Sequence, residues 1–465
     1  MLSIVPFSTL TDRMTGRVVL PGDADFADAT QAFNLLVDQR PVAVAFPVDE
    51  RDVIAVVDYA REHGLRIAPQ STGHNAGPLG SLARTILVNV SELAEITIDV
   101  STHRVRVGAG VRWEQVVPVL SEIGFAALHG SSPDVGIAGY SLGGGMGWLA
   151  RKHGLQANSV TAIELVTADG HLVRTDPVHE PDLFWALRGG GGNFGVVTAI
   201  EFAVVPVSEI YAGALFFPFA RSADVLHAWT AMLPELPDEL MTWTSILHFP
   251  DLPEVPEPVR GGSFTVVMGA YLGTEAEGRE LMQPLRALAP VIDTFAMVPP
   301  IGLADLVMDP REPLPFRSTH QLLGEMPAVA VDALLEAAGP GSARGRSLAM
   351  VQLRHMGGAL GRRAPGAGAR AALPGEVCVF ALGVAPDAAA EAAVEDALAG
   401  VAEALRPFRV GEYPNFVEEP ADASGFFDAA TWARLRDVKA LYDPADMFRG
   451  NHHVRPAASA VAAAA

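Results

Sequence analysis

Three short patterns in the chain have residue types and spacings that could do chemistry. A histidine stands in Ser71-Thr72-Gly73-His74-Asn75-Ala76-Gly77-Pro78, a run too rich in small and turn-forming residues to continue a strand or a helix, so it must be a loop. About sixty residues later, Gly130 to Gly147 holds seven glycines, at 130, 136, 139, 143, 144, 145 and 147. That density lets a backbone make turns and close approaches that a Cβ would forbid, and it invites a ligand. Two such loops can offer consecutive backbone N–H groups as anion-cradling nests, enough for a pyrophosphate without lysine or arginine, and a dinucleotide could lie between them. Taken alone, His74 reads as a loop histidine hydrogen-bonded to backbone. Within the glycine run, Gly139-Tyr140-Ser141-Leu142-Gly143 spells GxSxG, which in a serine hydrolase would make Ser141 the nucleophile, with His452 or His453 as base. The run Ser131 to Gly136 before it is a poor strand, so the elbow's context is missing. Gly190-Gly191-Gly192-Asn193-Phe194-Gly195 matches GxGxxG, but a helix precedes it and the β-branched run Val196-Val197-Thr198 follows, the reverse of a Rossmann turn.

The elements that must position these loops can be read from periodicity. Ala43 to Asn75 predicts strand, helix, strand: Asp49 can cap a helix whose apolar positions Val53, Val56, Val57 and Ala60 recur at helical spacing, and Gly64 ends it before Leu65-Arg66-Ile67-Ala68. Short strands are predicted at 85–90, 96–100 and 104–107, then a helix over 112–123. Strands at 162–167 and 172–175, a helix over 181–187 and a strand over 196–205 close the region. From about 208 to 408 the glycine loops vanish and strand runs (241–247, 263–271, 348–354) alternate with helices such as 388–405, which predicts a second α+β unit. Residues 357–375 read as an exposed loop and 457–465 as a disordered tail. The stripe Trp432, Leu435, Val438 and Leu441 predicts the buried face of a helix.

Composition narrows the function classes. The 465 residues carry 54 acidic and 33 basic side chains, a formal net charge of −21, which excludes nucleic-acid binding by charge. The one cysteine, Cys378, allows neither an intrachain disulfide nor a multi-cysteine metal site, and there is no HExxH or comparable ligand spacing, so no metal is expected. No signal segment or membrane span is expected, which predicts a soluble cytoplasmic protein.

Read together and in order, Pro69 to Asn75, Gly130 to Gly145, Gly190 to Thr198 and Tyr442-Asp443-Pro444-Ala445-Asp446-Met447-Phe448-Arg449-Gly450-Asn451 resemble the FAD-linked oxidases of the vanillyl-alcohol oxidase/p-cresol methylhydroxylase superfamily, in the berberine-bridge-enzyme-like branch. The resemblance covers residues from about 35 to 456 and is similar to the 6-hydroxy-D-nicotine oxidase type. It implies an α+β, two-domain PCMH-type FAD-binding fold with a substrate domain built on an antiparallel sheet. The FAD-binding domain is expected at 1–207, the substrate domain at 208–408, and a C-terminal segment at 409–465 that returns to the first.

The resemblance also implies roles. His74 matches the histidine bonded to the 8α-methyl carbon of FAD. Ser71, Thr72, Gly73 and Asn75 match the phosphate loop. Val135, Gly136, Gly139, Tyr140 and Gly143, Gly144 and Gly145 match the second flavin loop, Val196 and Val197 the adenine or ribose side, and Asn451 the closing motif beside the flavin. Many relatives carry cysteine where this chain has Ser132, making a second bond to flavin C6; Ser132 cannot form that thioether, so a single attachment is expected. The reaction implied is hydride transfer from a small organic alcohol, amine or natural-product intermediate to flavin N5, with O2 as acceptor, by a monomer or homodimer. Candidates for the proton-handling groups are Tyr413, in Tyr413-Pro414-Asn415-Phe416, Tyr140, and Gln352 on the strand Val351-Gln352-Leu353-Arg354-His355, where alternation puts Gln352 and Arg354 on one face. His355 is expected in core or solvent. The alternatives are a serine hydrolase using Ser141 and a non-catalytic flavin- or metabolite-binding protein.

Overall fold

The computed structural model describes residues 7–253, 255–307 and 309–458. Its N-terminal part begins with a four-stranded sheet ordered Arg17–Val19, Ala43–Phe46, Thr85–Asn89, Arg66–Gln70, in which the last three strands run parallel and the first antiparallel. The parallel pairs require a crossover, supplied by the helix Glu50–His63. That helix is started by the Asp49 side chain accepting the Asp52 N–H and stopped by Gly64 in the left-handed region (φ 60°). Beside this sheet lies an antiparallel one ordered Ile96–Asp99, Arg104–Gly108, Val196–Ala203, Val160–Val166, Leu172–Thr175. Ile67, Ile86, Val105, Val107, Val196 and Ile200 from the two sheets share one core, joined by Leu435, Val438 and Phe448 from near the C-terminus.

Residues 210–411 form a single nine-stranded antiparallel sheet. Its middle strands are Ser263–Tyr271, Leu240–His248, Met350–His355 and Val377–Val384. Period-two alternation splits each of them. One face (Leu215, Ile246, Val267, Val351, Leu353, Val379) packs under the helices Ser222–Met232, Ala328–Ala338 and Ala388–Leu405. The other face (Ala214, Trp243, Met268, Cys378, Leu322) meets Leu128, Met146, Trp148, Leu149 and Leu155 from the glycine-rich region, forming a third core at the seam.

Several sequence expectations are corrected. The strand at 196–205 ends at Ala203, and Val205–Pro206 pairs separately with Phe125–Ala126. The 357–375 segment is not an exposed loop throughout. Ala369 and Arg370 donate their backbone N–H groups to Trp185 and Arg188, and Leu360, Ala369, Arg370 and Leu373 are buried. Alanines and glycines let this chain thread a narrow gap: a Cβ at Gly368 would lie 2.2 Å from the Arg188 carbonyl oxygen. On the helix Ala429–Tyr442, Leu435 and Val438 are buried as expected, but Leu441 is 71% exposed while Lys439 is fully buried. The buried face therefore turns toward a charge with partners rather than along an apolar stripe. Of the expected tail, residues 459–465 lie outside the described residues.

Candidate active site

The loop after the strand Arg66–Gln70 and the start of the glycine-rich run converge. A Cβ at Gly136 would come within 2.6 Å of Ser71 Oγ, so the approach needs glycine. His74 is stacked on Phe33 (ring centroids 3.9 Å apart, 16° between planes). Its Nδ1 lies 2.7 Å from Thr72 Oγ1, and its Nε2 lies 3.3 Å from Asp134 Oδ2 without hydrogen-bond geometry. The ring is thus held in one orientation by residues of both loops. Asn451 donates from Nδ2 to the Asn75 carbonyl, and Asn75 donates to the Pro414 carbonyl at 3.1 Å, which joins the closing motif and the Tyr413 segment to the histidine loop.

This meeting place is polar and unsatisfied. Ser71 Oγ, His74 Nε2, Asn75 Oδ1 and Asp134 Oδ1 are buried with no hydrogen-bond partner among the described residues. Buried polar atoms normally find partners, and four orphans on two adjoining loops mark a place built for a polar group from outside the chain. Ser71 Oγ, His74 Nε2 and the close backbone approach at Gly136 fit a dinucleotide cofactor. Ser132 donates to Asp309 Oδ2 at 2.5 Å.

Beyond Gly136 the chain forms the short helix Ile137–Gly143. Ser141 lies inside it, 1% exposed, with Oγ donating to the Ile137 carbonyl at 2.7 Å. No strand-to-helix elbow presents it, and the GxSxG resemblance to a hydrolase ends there. Gly139 is exposed with open space at its Cβ position, whereas Gly143 is crowded by Asn415, whose Nδ2 donates to the Tyr140 carbonyl. Gly144 and Gly145 have φ of +132° and +78°, and a Cβ on Gly145 would meet the Tyr140 ring at 2.5 Å. Val135 is half-buried; Val196 and Val197 are buried in the core beneath the helix.

The bend made by these glycines aims two N–H groups at one phenol. Tyr413 Oη accepts from Gly145 N and Met146 N, each at 3.0 Å. Burial pushes the Tyr413 pKa well up, so the phenol is neutral and its own proton remains to donate. His320, pulled down to about 3 by burial, accepts the Tyr413 backbone N–H on Nε2 at 2.9 Å. Tyr140 spends its hydroxyl proton on the Leu128 carbonyl at 3.0 Å, and burial raises its pKa too.

Across the seam, Ser245, Gln352 and Arg354 share a sheet face. Gln352 donates to Ser245 Oγ (3.2 Å) and accepts from Arg354 Nε (2.6 Å). Phe416 packs against both the Arg354 guanidinium and the Tyr413 ring, and Gly145 lies against both Tyr413 and Tyr140. Strand alternation places Arg354 on the same face as Gln352, and the register that sets it opposite Trp243, which no local pattern encodes, gives it its surroundings. His355 is buried on the other face, its Nε2 2.9 Å from Arg151 Nη1.

The third glycine motif is a structural clasp. Asn193 Nδ2 donates to the Gly190 and His452 carbonyls, and its Oδ1 accepts from Gly450 N and Val454 N. Lys439 Nζ donates to the Asn193 and Phe448 carbonyls and to Asp443 Oδ2, which in turn accepts from Phe448 N. The Tyr-Asp-Pro motif thus works through Asp443 as a buried counter-ion. His453 Nε2 pairs with Asp446 at 3.0 Å, and His452 Nε2 lies 2.8 Å from the Pro414 carbonyl.

Residues 41–176, which include the four-stranded sheet's parallel strands and both loops, match an FAD binding domain. Over 96% of its length the chain is 27% identical to 99% of an uncharacterized FAD-linked oxidoreductase of Bacillus subtilis (strain 168). The chain is an FAD-linked oxidoreductase. It is also 32% identical to the (R)-6-hydroxynicotine oxidase of Paenarthrobacter nicotinovorans, over 61% of this chain and 60% of that one. The berberine-bridge-enzyme-like fold of the oxidoreductase is shown by its superposition on the BBE-like 1 protein of Physcomitrella patens (TM-score 0.83, 20% identity, 97% of this chain and 99% of that one). Among its described residues, no helix is long and apolar enough to cross a membrane.

Proposed function

We propose that this oxidoreductase carries FAD tethered through the single residue His74, and that it is an oxidase of a small organic alcohol, amine or natural-product intermediate, with O2 as acceptor. The observation that carries the reading is the convergence of the His74 loop on Asp134 and Gly136, which leaves Ser71, His74, Asn75 and Asp134 each with a sealed, unpartnered polar atom. Ser71, Thr72, Gly73, Gly136 and Gly143 to Gly145 would hold the cofactor, and Phe33 would fix the ring of His74 for attachment. Bound there, the flavin supplies a two-electron acceptor for hydride from a substrate C–H.

In this reading residues 1–207 and 409–465 hold the cofactor and 208–408 cover the substrate. The chain's own contribution is position, exclusion of water and proton control. Tyr413, neutral and with its oxygen fixed by two N–H groups, donates a hydrogen bond to a substrate heteroatom and orients it. Gln352 sets the Arg354 guanidinium through its Oε1. Trp148 and Trp243, stacked at 3.7 Å across the seam, shield the region from solvent.

The test is a donor screen on flavin-loaded protein, followed both as anaerobic bleaching of the flavin band and as aerobic peroxide release. Bleaching and peroxide with one donor class support the oxidase. Bleaching without peroxide removes O2 as acceptor, and a flavin that no donor bleaches favours a binding protein.

A further inference from the structure

Arg354 stands mid-sheet on the seam face, 4% exposed. In register it lies opposite Trp243 on one side and Cys378 on the other. Its guanidinium carbon sits 4.1 Å from the Trp243 ring centroid and 4.9 Å from that of Phe416. Trp243 is backed by Trp148, so the guanidinium rests against a pile of aromatic plates. Its Nε is committed to Gln352 Oε1, and Gln352 is itself held by Ser245. Among the described residues that is its one hydrogen bond, and none places a carboxylate in ion-pair contact with it. Asp309, the acid that acts on it electrostatically, is tied to Ser132 Oγ instead.

A cation removed from water is costly unless it is paired, and aromatic faces replace only part of the lost hydration. With Nε pinned, the fork of Nη1 and Nη2 is pre-set for two parallel hydrogen bonds to a coplanar anion, an arrangement a lysine could not offer. Tyr413, which keeps its phenolic proton, packs edge-on against Phe416, the ring that the same guanidinium faces. We propose that Arg354 binds a carboxylate of the substrate, so that the molecule oxidised is an organic acid or bears a carboxylate arm. This rests on the flavin oxidase reading above. Gln352 and Ser245 are positioning residues for the fork, and Trp243 with Phe416 supplies the aromatic faces against which the guanidinium rests.

The experiment titrates flavin-loaded enzyme with benzoate, phenylacetate and hexanoate, each against its carboxamide, following the flavin absorbance. Retained flavin in every variant checks the underlying oxidase reading separately. The wild type is expected to bind at least one carboxylate well above its amide, and Arg354→Met to weaken that binding roughly thirtyfold or more while leaving amide binding unchanged. Arg354→Lys keeps the charge and should restore part of the preference, which separates lost recognition from lost folding. The proposal is overturned if no carboxylate is preferred over its amide, or if Arg354→Met binds carboxylates as wild type does. It is overturned equally if the variant shifts the flavin's spectrum and potential in the absence of any acid, because the guanidinium would then serve the cofactor.

Discussion

Lys439 is one of two lysines in the chain and is completely buried, with Asp443 and the carbonyls of Asn193 and Phe448 as partners. Burial pulls its pKa down while Asp443 pulls it back up, so the pair stands or falls together. Lys439→Met leaves the Asp443 carboxylate buried without its cation and should cost about 3–5 kcal/mol in urea unfolding. A loss below about 1 kcal/mol would mean that packing, not charge, holds the closing motif. At this scale the sequence was only partly legible. His74, Asn75 and Asn451 stand out by residue type and order, and they do come together. Lys439 was hidden because a charge on an amphipathic helix reads as solvated, and Arg354 because nothing local to its strand says which neighbour it will face.

Among the elements, the segment after Tyr413 runs past the strand Phe316–Leu323, where half-buried Glu418 lies by Asn34 and lines a cavity of about 420 Å³. Burial raises its pKa to about 7. The folded state therefore holds this proton more tightly than the unfolded chain, so stability from it is complete below the ordinary glutamate pKa near 4.5 and is lost as pH rises toward 7. Glu418→Gln should be more stable than wild type at pH 8, and the gap between the two melting temperatures should close toward pH 4.5. A gap constant over that range would contradict a titrating Glu418. Elements with a cap, a period and a stop were readable, as in Asp49 to Gly64. The 357–375 segment was not, because alanine and glycine look the same in solvent as in a gap that excludes side chains.

For the whole molecule, the nine-stranded sheet owns one core beneath its helices, but its other face shares a core with Leu128, Met146 and Trp148. Residues 208–408 expressed alone would expose Trp243, Met268, Leu322 and Cys378 and should bind a hydrophobic dye and aggregate, whereas the intact chain, at net charge −21, should do neither. A soluble, dye-free fragment would contradict the seam as a shared core. The order of motifs made the fold class legible; the pairing of the two faces was not, since it joins residues far apart in the chain. A flavin bonded to His74 stays with the protein when it is denatured. Purified protein is precipitated with acid, and the pellet's peptides are searched by mass for FAD. The expected result is a yellow pellet with FAD on the His74 peptide alone, and a colourless pellet from His74→Ala. Flavin washed into the supernatant from wild type, or attached to any other residue, would contradict it.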